Sequence, residues 1–179
     1  MIRNIFNRQI TSLHAAALII GAAGFLSRIL GLLRDRLLAS KFGAGDILDA
    51  YYAAFQIPDA LYTLFLIGAA SAAILPIFIE YREEGQDHWR FIQTLLTVFG
   101  VVAAIAALIL IMLAPIVVPL IVPGFSGEKL RLAVTLTRIM MLGPLFFGIS
   151  GIISSVLQAY HRFLMYAIPP IFYNLAIIF

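Results

Sequence analysis

Cysteine and charge are what this sequence has least of. The 179 residues include no cysteine, which excludes disulfide bonds and thiolate metal sites. Charged residues make up 12% of the chain, compared with about 25% in typical soluble domains. The formal charge of +3 comes from dispersed arginines and not from a basic tail, so nothing indicates a nucleic-acid partner.

Long apolar runs take the place of the missing charge. Hydrophobic residues make up 63% of the chain, whereas soluble domains have about 45–50%. Several runs approach or exceed the roughly 20 residues that cross a hydrocarbon core. They predict an all-α, polytopic membrane helical bundle of about five spans, at residues 13–38, 47–81, 91–122, 130–160 and 165–179. The last run is too short to cross, so we expect the chain to be the N-terminal part of a longer protein.

Basic residues between the runs indicate the orientation. If the N-terminus is cytoplasmic, that side carries five arginines, and the opposite side carries three basic residues with Arg36 nearby. The two sets are Arg3, Arg8, Arg82, Arg90 and Arg162, and Lys41, Lys129 and Arg131. The positive-inside rule therefore favours a cytoplasmic N-terminus.

The first run ends in an unusual charged stretch, "SRILGLLRDR" at residues 27–36. At 100° per residue, Gly24, Arg28, Gly31 and Asp35 share one helix face, with Arg34 on its flank. An arginine in mid-bilayer costs about 2.5–3.5 kcal/mol, so we expect these arginines to face a cavity or a partner. The alternative is that the charges reach the outer interface and that Arg28 pairs locally with Asp35.

The second run carries a matching polar side, formed by Asp49, Tyr52, Gln56, Asp59 and Thr63. Neither aspartate has a basic neighbour one turn away, so we expect a partner from another helix, such as Arg28 or Arg34. Asp49 could instead lie in an N-cap region. Asp59 could cap a second half-helix, because Pro58 is predicted to interrupt this run.

No pattern in the sequence supports an enzyme. His14, His88 and His161 lack metal-ligand spacing, and no phosphate-binding loop or nucleophile–base pair is visible. Buried arginines and carboxylates on proline-broken helices are typical of a transporter with an anionic or ion-coupled path. The planar guanidinium binds oxyanions with two hydrogen bonds and keeps its proton, so a phosphorylated substrate is predicted.

Several motifs resemble one family. "SRILGLLRDRLLASKFGAGDILDAYYAAFQIPDAL" (27–61) is similar to the opening two spans of the MurJ/MviN lipid II flippases, within the multidrug/oligosaccharidyl-lipid/polysaccharide exporter superfamily. The resemblance continues through "GAASAAILPIF" (68–78), "PGF" (123–125), "RF" (162–163) and "PPIFYN" (169–174). It implies part of the first lobe of a protein with about fourteen spans in two related lobes.

The resemblance also implies a function and a site. The function would be to flip a polyprenyl-pyrophosphate-linked glycopeptide, lipid II, across the bacterial cytoplasmic membrane by alternating access. The partners would be this lipid and the surrounding membrane lipids, with no cofactor, and a coupling ion or the membrane potential stays open as the driving force. Matched motif by motif, the substrate-binding residues would be Arg28, Arg34, Asp35 and Asp49, with Gln56, Asp59 and Tyr62 as candidate cavity-lining residues.

The sequence departs from the family pattern at one place. Tyr62 and Thr63 stand where the family usually has an arginine, and Ile67 stands where it has an acidic residue. A flippase for another polyprenyl-linked oligosaccharide, or a cation-coupled exporter with an ion site at Asp49 and Asp59, therefore remains an alternative. A non-transporting membrane scaffold is the alternative from another class.

Overall fold

The computed structural model describes residues 12–65 and 87–179, together with Ile77 and Glu80. All regular structure in these residues is helical, which confirms the predicted all-α class. The helices are α1 (Leu13–Phe42), α2 (Asp46–Phe65), α3 (His88–Ile121), α4 (Gly127–Met140), α5 (Gly143–Ala159), α6 (Phe163–Ala167) and α7 (Pro169–Ile178). Residues 66–76, 78–79 and 81–86, in the second predicted span and the loop after it, lie outside the described part.

Local signals fix both ends of α1. The Ser12 hydroxyl accepts a hydrogen bond from the Ala15 amide at 3.5 Å, which provides one of the missing N-terminal partners. The helix continues past the predicted residue 38 to Phe42 and ends at Gly43, whose φ of +72° favours glycine. The "FGAG" sequence is therefore the C-terminal stop of this helix.

Pro58 does not interrupt α2, contrary to the prediction. The helix runs unbroken from Asp46 to Phe65 with Pro58 inside it. Asp59 therefore caps no second half-helix, and that alternative was wrong. Asp46 and Asp49 both lie in the first turn, where carboxylates interact favourably with the positive end of the helix dipole.

Pro144, in contrast, coincides with a real break. The predicted fourth span begins earlier, at Gly127, and is divided into α4 and α5 by a turn at Met141 and Leu142. Pro144 has no amide hydrogen to give to the Met140 carbonyl, and Gly143 weakens helix propensity in the same turn. The predicted fifth span is likewise divided, because α6 ends at Ala167 and α7 begins at Pro169.

Three helical stretches of the described residues are long and apolar enough to cross a membrane, namely His14–Phe42, Trp89–Ile121 and Gly127–Ala159. A shorter apolar stretch covers Phe163–Ile178. Their outward faces carry large exposed hydrophobic side chains such as Leu18, Leu32 and Leu120. Apolar surface on this scale is typical of a membrane protein.

The chain forms two compact units. In the unit formed by residues 1–43 and 153–179, α1 packs against α6 and α7. In the unit Ala44–Ile152, α4 packs against both α2 and α3. The buried core of this second unit consists of Ala50, Ile57, Leu61, Ala114, Val118, Ala133 and Met141.

Candidate functional site

The first charged site lies in the unit of α1 and α7 and is centred on Arg34. The Arg34 side chain is 22% exposed, and its Nε and Nη2 atoms lie 3.0 and 2.9 Å from Asp35 Oδ1. Its Nη1 donates to Asn174 Oδ1 of α7 at 3.2 Å. A guanidinium has five N–H groups, so these three contacts leave two of them available to a ligand. We call Arg34, Asp35, Asn174 and Ser27 the arginine cluster.

Asn174 holds the arginine cluster together. This residue is 7% exposed, and its side-chain amide donates to the Ser27 carbonyl, the Ser27 hydroxyl and the Pro170 carbonyl at 3.0–3.1 Å. The Ser27 hydroxyl in turn donates to the Pro170 carbonyl at 3.1 Å. The amide therefore satisfies backbone groups of both helices while its oxygen fixes the direction of Arg34.

The helix periodicity explains why this face of α1 meets α7. Ser27, Gly31 and Arg34 follow i, i+4, i+7 spacing and so form one row. A side chain at Gly31 would begin 3.6 Å from the Asn174 carbonyl oxygen, so glycine leaves the room in which the amide lies. Gly31 therefore lies at the border between the predicted face with Arg28 and Asp35 and the row that contacts α7.

Arg28 follows Ser27 directly, so its side chain points about 100° around the helix axis from the row that contacts α7. It is exposed, and no described residue of its own unit forms a hydrogen bond or ion pair with its guanidinium. The alternative local pairing of Arg28 with Asp35 is wrong, because Asp35 pairs with Arg34 instead. The first helix thus presents one arginine held in place and one arginine open to a ligand.

The second charged site lies in the unit of α2 and α4. Lys129 Nζ, in the first turn of α4, lies 2.8 Å from Asp46 Oδ1 and 2.6 Å from Asp49 Oδ2. The same ammonium lies 4.3 Å from the centre of the Phe125 ring, within the range of a cation–π contact. The expected basic partner of Asp49 thus comes from another helix, and within this unit it is Lys129 of α4.

The candidate cavity-lining residues lie further along α2. The Gln56 and Asp59 side chains are exposed, which leaves both available to a ligand or ion. Tyr62 is half-buried, and its ring meets the Phe147 ring edge-on with centroids 5.6 Å apart. Tyr62 therefore forms an aromatic contact between α2 and α5.

The two sites differ in what they can bind. The arginine cluster offers unshared N–H donors together with the open guanidinium of Arg28, which suits an oxyanion. In the second site Lys129 is shared between two carboxylates, so the group keeps one net negative charge and does not suit an oxyanion; the shared ammonium holds α2 against α4. No group of three or more metal-ligating side chains occurs among residues 12–65 and 87–179.

Sequence reasoning singled out both arginines but missed Asn174 and Lys129 as parts of these sites. For Asn174 the sequence gives one indication of a structural role, because it is the lone side-chain amide within the apolar sequence of α7. Buried amides in membrane helices are commonly paired across helices. For Lys129 the sequence gives a weaker indication of a carboxylate partner. The residue lies in the first turn of a helix, where the helix dipole disfavours a cation.

Comparison with known proteins shows the family of the chain. The model of the family "Lipid II flippase MurJ" matches residues 38–179. The lipid II flippase MurJ of Burkholderia cenocepacia is 35% identical over 93% of this chain and 33% of its own length. The probable lipid II flippases MurJ of Rhizobium tropici and Thermotoga maritima are 36% and 30% identical, over 89% and 86% of this chain. The chain spans about one third of the length of these curated relatives.

Proposed function

Because the chain belongs to the lipid II flippase MurJ family, we propose that it forms part of a transporter that flips lipid II across the bacterial cytoplasmic membrane. In this proposal the helices contribute to the first of two lobes, and the N-terminus is cytoplasmic. The substrate is a polyprenyl-pyrophosphate-linked glycopeptide, and transport proceeds by alternating access. The protein acts as a transporter and not as an enzyme.

The observation that carries the proposal is the pair of arginines on α1. Arg34 is aligned by Asp35 and Asn174 and keeps two N–H groups for a ligand, while Arg28 is exposed and has no hydrogen bond or ion pair with a described residue of its unit. Pyrophosphate offers several acceptor oxygens, and a guanidinium can bind two of them at once. Asp35 fixes the orientation of Arg34. Its negative charge also lowers the affinity of the site for pyrophosphate, so that the lipid can be released after transport.

The second unit is assigned a supporting part in the proposal. In this proposal Asp49 belongs to the outer rim of the cavity. Its ion pair with Lys129 supports this part, because it holds the starts of α2 and α4 together. The exposed side of α2, with Gln56 and Asp59, lines the cavity along which the sugar and peptide groups move. Tyr62 packs against Phe147, so it shapes the cavity wall and adds no charge to it.

Complementation of a bacterium depleted of its own flippase tests the proposal, with each variant made in the complete protein. Arg28→Ala and Arg34→Ala should abolish growth, because each removes charge and hydrogen-bond donors from the pyrophosphate site. Arg28→Lys and Arg34→Lys should retain part of the activity, since lysine keeps the charge but loses the paired donors. Arg36→Ala on the same helix is the matched control and should grow like the parent.

Membrane insertion must be checked for each variant by its abundance in the membrane fraction. Normal growth of well-inserted Arg28→Ala and Arg34→Ala variants would contradict the proposal and favour a scaffold. Loss of growth with Asp59→Asn, combined with tolerance of both arginine replacements, would instead favour the ion-coupled exporter.

A further inference from the structure

The middle of α3 contains a backbone carbonyl that has lost its helical partner. Pro115 lies inside this helix and has no amide hydrogen, so the carbonyl of Ile111, four residues earlier, receives no hydrogen bond from position 115. In a bilayer there is no water to replace that donor, and an unsatisfied carbonyl is costly. Something else must supply the hydrogen bond.

Arg138 of α4 supplies it. Its Nε donates to the Ile111 carbonyl oxygen at 3.1 Å, within the unit Ala44–Ile152. Arg138 lies eleven residues from the start of α4, which is about 16 Å at the rise of an α-helix. Ile111 lies ten residues from the end of α3, about 15 Å, so both reach the middle of a core about 30 Å thick.

A second feature explains how a cation is tolerated at that depth. Arg138 lies in the last turn of α4, just before the break at Met141 and Leu142. The carbonyl groups of a helix C-terminus carry partial negative charge and stabilise a cation nearby. The guanidinium thus lies between two sources of negative potential, the α4 terminus and the Ile111 carbonyl, both of them backbone groups.

We propose that Arg138 is a positioning residue that replaces the backbone donor removed by Pro115. It fixes the middle of α3, next to Pro115, against the end of α4. It belongs to the scaffold of the α3–α4 hairpin and takes no part in binding the pyrophosphate. This inference does not rest on the proposed function, because it concerns a contact that exists without any substrate.

A double-mutant cycle between Arg138 and Pro115 tests the proposal in the complete protein, reconstituted in lipid without substrate. The measured quantity is the ratio of folded to unfolded protein in a reversible denaturant titration. Arg138→Met should lower this ratio roughly three- to twentyfold, the range found for hydrogen bonds between membrane helices. In a Pro115→Ala background the cost should largely disappear, because the new amide at position 115 can bond the Ile111 carbonyl.

Two control variants make the cycle specific. Pro119→Ala restores a donor to a different carbonyl, that of residue 115, and should not relieve Arg138→Met. Arg131→Met removes another arginine of α4, two turns earlier, and should show no coupling to Pro115. Arg138→Lys keeps a cationic donor and should recover part of the loss.

The results that overturn the proposal are equally definite. An Arg138→Met cost that is the same with proline and with alanine at position 115 would mean that the guanidinium does not serve the Ile111 carbonyl. No measurable cost in either background would also refute it. Binding of an isolated polyprenyl pyrophosphate should be unchanged by Arg138→Met in the Pro115→Ala background, and a loss there would assign Arg138 to the substrate path instead.

Discussion

At the scale of single residues, the importance of the charged side chains could be predicted from the sequence, but the residues that they contact could not. Arg28 and Arg34 stand out because they interrupt an apolar run. The partner of Arg34 on α7 lies 140 residues away, and helix periodicity says nothing about contacts at that separation. For the same reason the sequence did not indicate that Lys129, 80 residues away, pairs with Asp49.

Replacement of Asn174 tests the role of the buried amide. Asn174→Ala removes the acceptor of Arg34 and the amide donor of the Ser27 carbonyl and hydroxyl, although the Pro170 carbonyl keeps its bond from the Ser27 hydroxyl, so it should destabilise the protein by about 1–3 kcal/mol. Ser27→Ala keeps the Ser27 carbonyl contact and should cost less. Denaturant titration of the protein in lipid measures both changes.

The exposed Ser40, on the same helix α1, provides the control for the Asn174 experiment. Ser40→Ala should leave stability unchanged. An Asn174→Ala variant as stable as Ser40→Ala would show that the amide does not organise the arginine cluster.

At the scale of helices, the number and type of apolar segments could be predicted, but not the effect of each proline. Pro58 and Pro144 have the same covalent defect, yet only the second coincides with a break. Pro144 follows Gly143, so two residues unfavourable to a helix interior are adjacent, and Pro144 then occupies the second position of α5, where no amide is needed. Pro58 has neighbours that continue the helix.

Gly148 of α5 tests the packing between helices. A Cβ atom there would lie 1.8 Å from Cζ of Phe99 on α3, so Gly148→Ala must displace the ring. We expect a loss of about 1–3 kcal/mol in the free energy of unfolding. The loss should vanish in a Phe99→Ala background, as measured by denaturant titration.

Gly100, one residue from Phe99 on the same helix, is the matched control. A Cβ at that position has no neighbour within 4 Å. Gly100→Ala should be neutral or stabilising by up to about 1 kcal/mol, since alanine favours the helix. Equal costs at Gly148 and Gly100 would argue against the close contact with Phe99.

At the scale of the whole molecule, hydropathy predicted a helical membrane protein, and the large exposed apolar faces of the helices agree with it. It predicted about five spans, whereas three stretches of the described residues meet both length and hydropathy requirements. The second predicted span continues beyond Phe65 into residues that lie mostly outside the described part, and the fifth corresponds to the shorter apolar stretch Phe163–Ile178.

The absence of cysteine makes the membrane topology directly measurable. Gly45 and Gly124 lie in the exposed turns before α2 and α4, and a side chain at either glycine has open space. With a cytoplasmic N-terminus, Gly45→Cys and Gly124→Cys should react with a membrane-impermeant maleimide from outside the cytoplasmic membrane. Asp87→Cys, at the exposed start of α3, should react only after permeabilisation. The reverse labelling pattern would invert the orientation.

The central claim is that the α1 arginines hold the pyrophosphate of the substrate, and the affinity for a polyprenyl pyrophosphate tests it most directly. The dissociation constant is measured by equilibrium binding to the complete protein in lipid nanodiscs. Arg34→Ala and Arg28→Ala should each weaken binding roughly ten- to hundredfold, since each removes charge-assisted hydrogen bonds. Arg36→Ala should leave the dissociation constant unchanged. Unaltered affinity in the Arg28→Ala and Arg34→Ala variants would contradict the account.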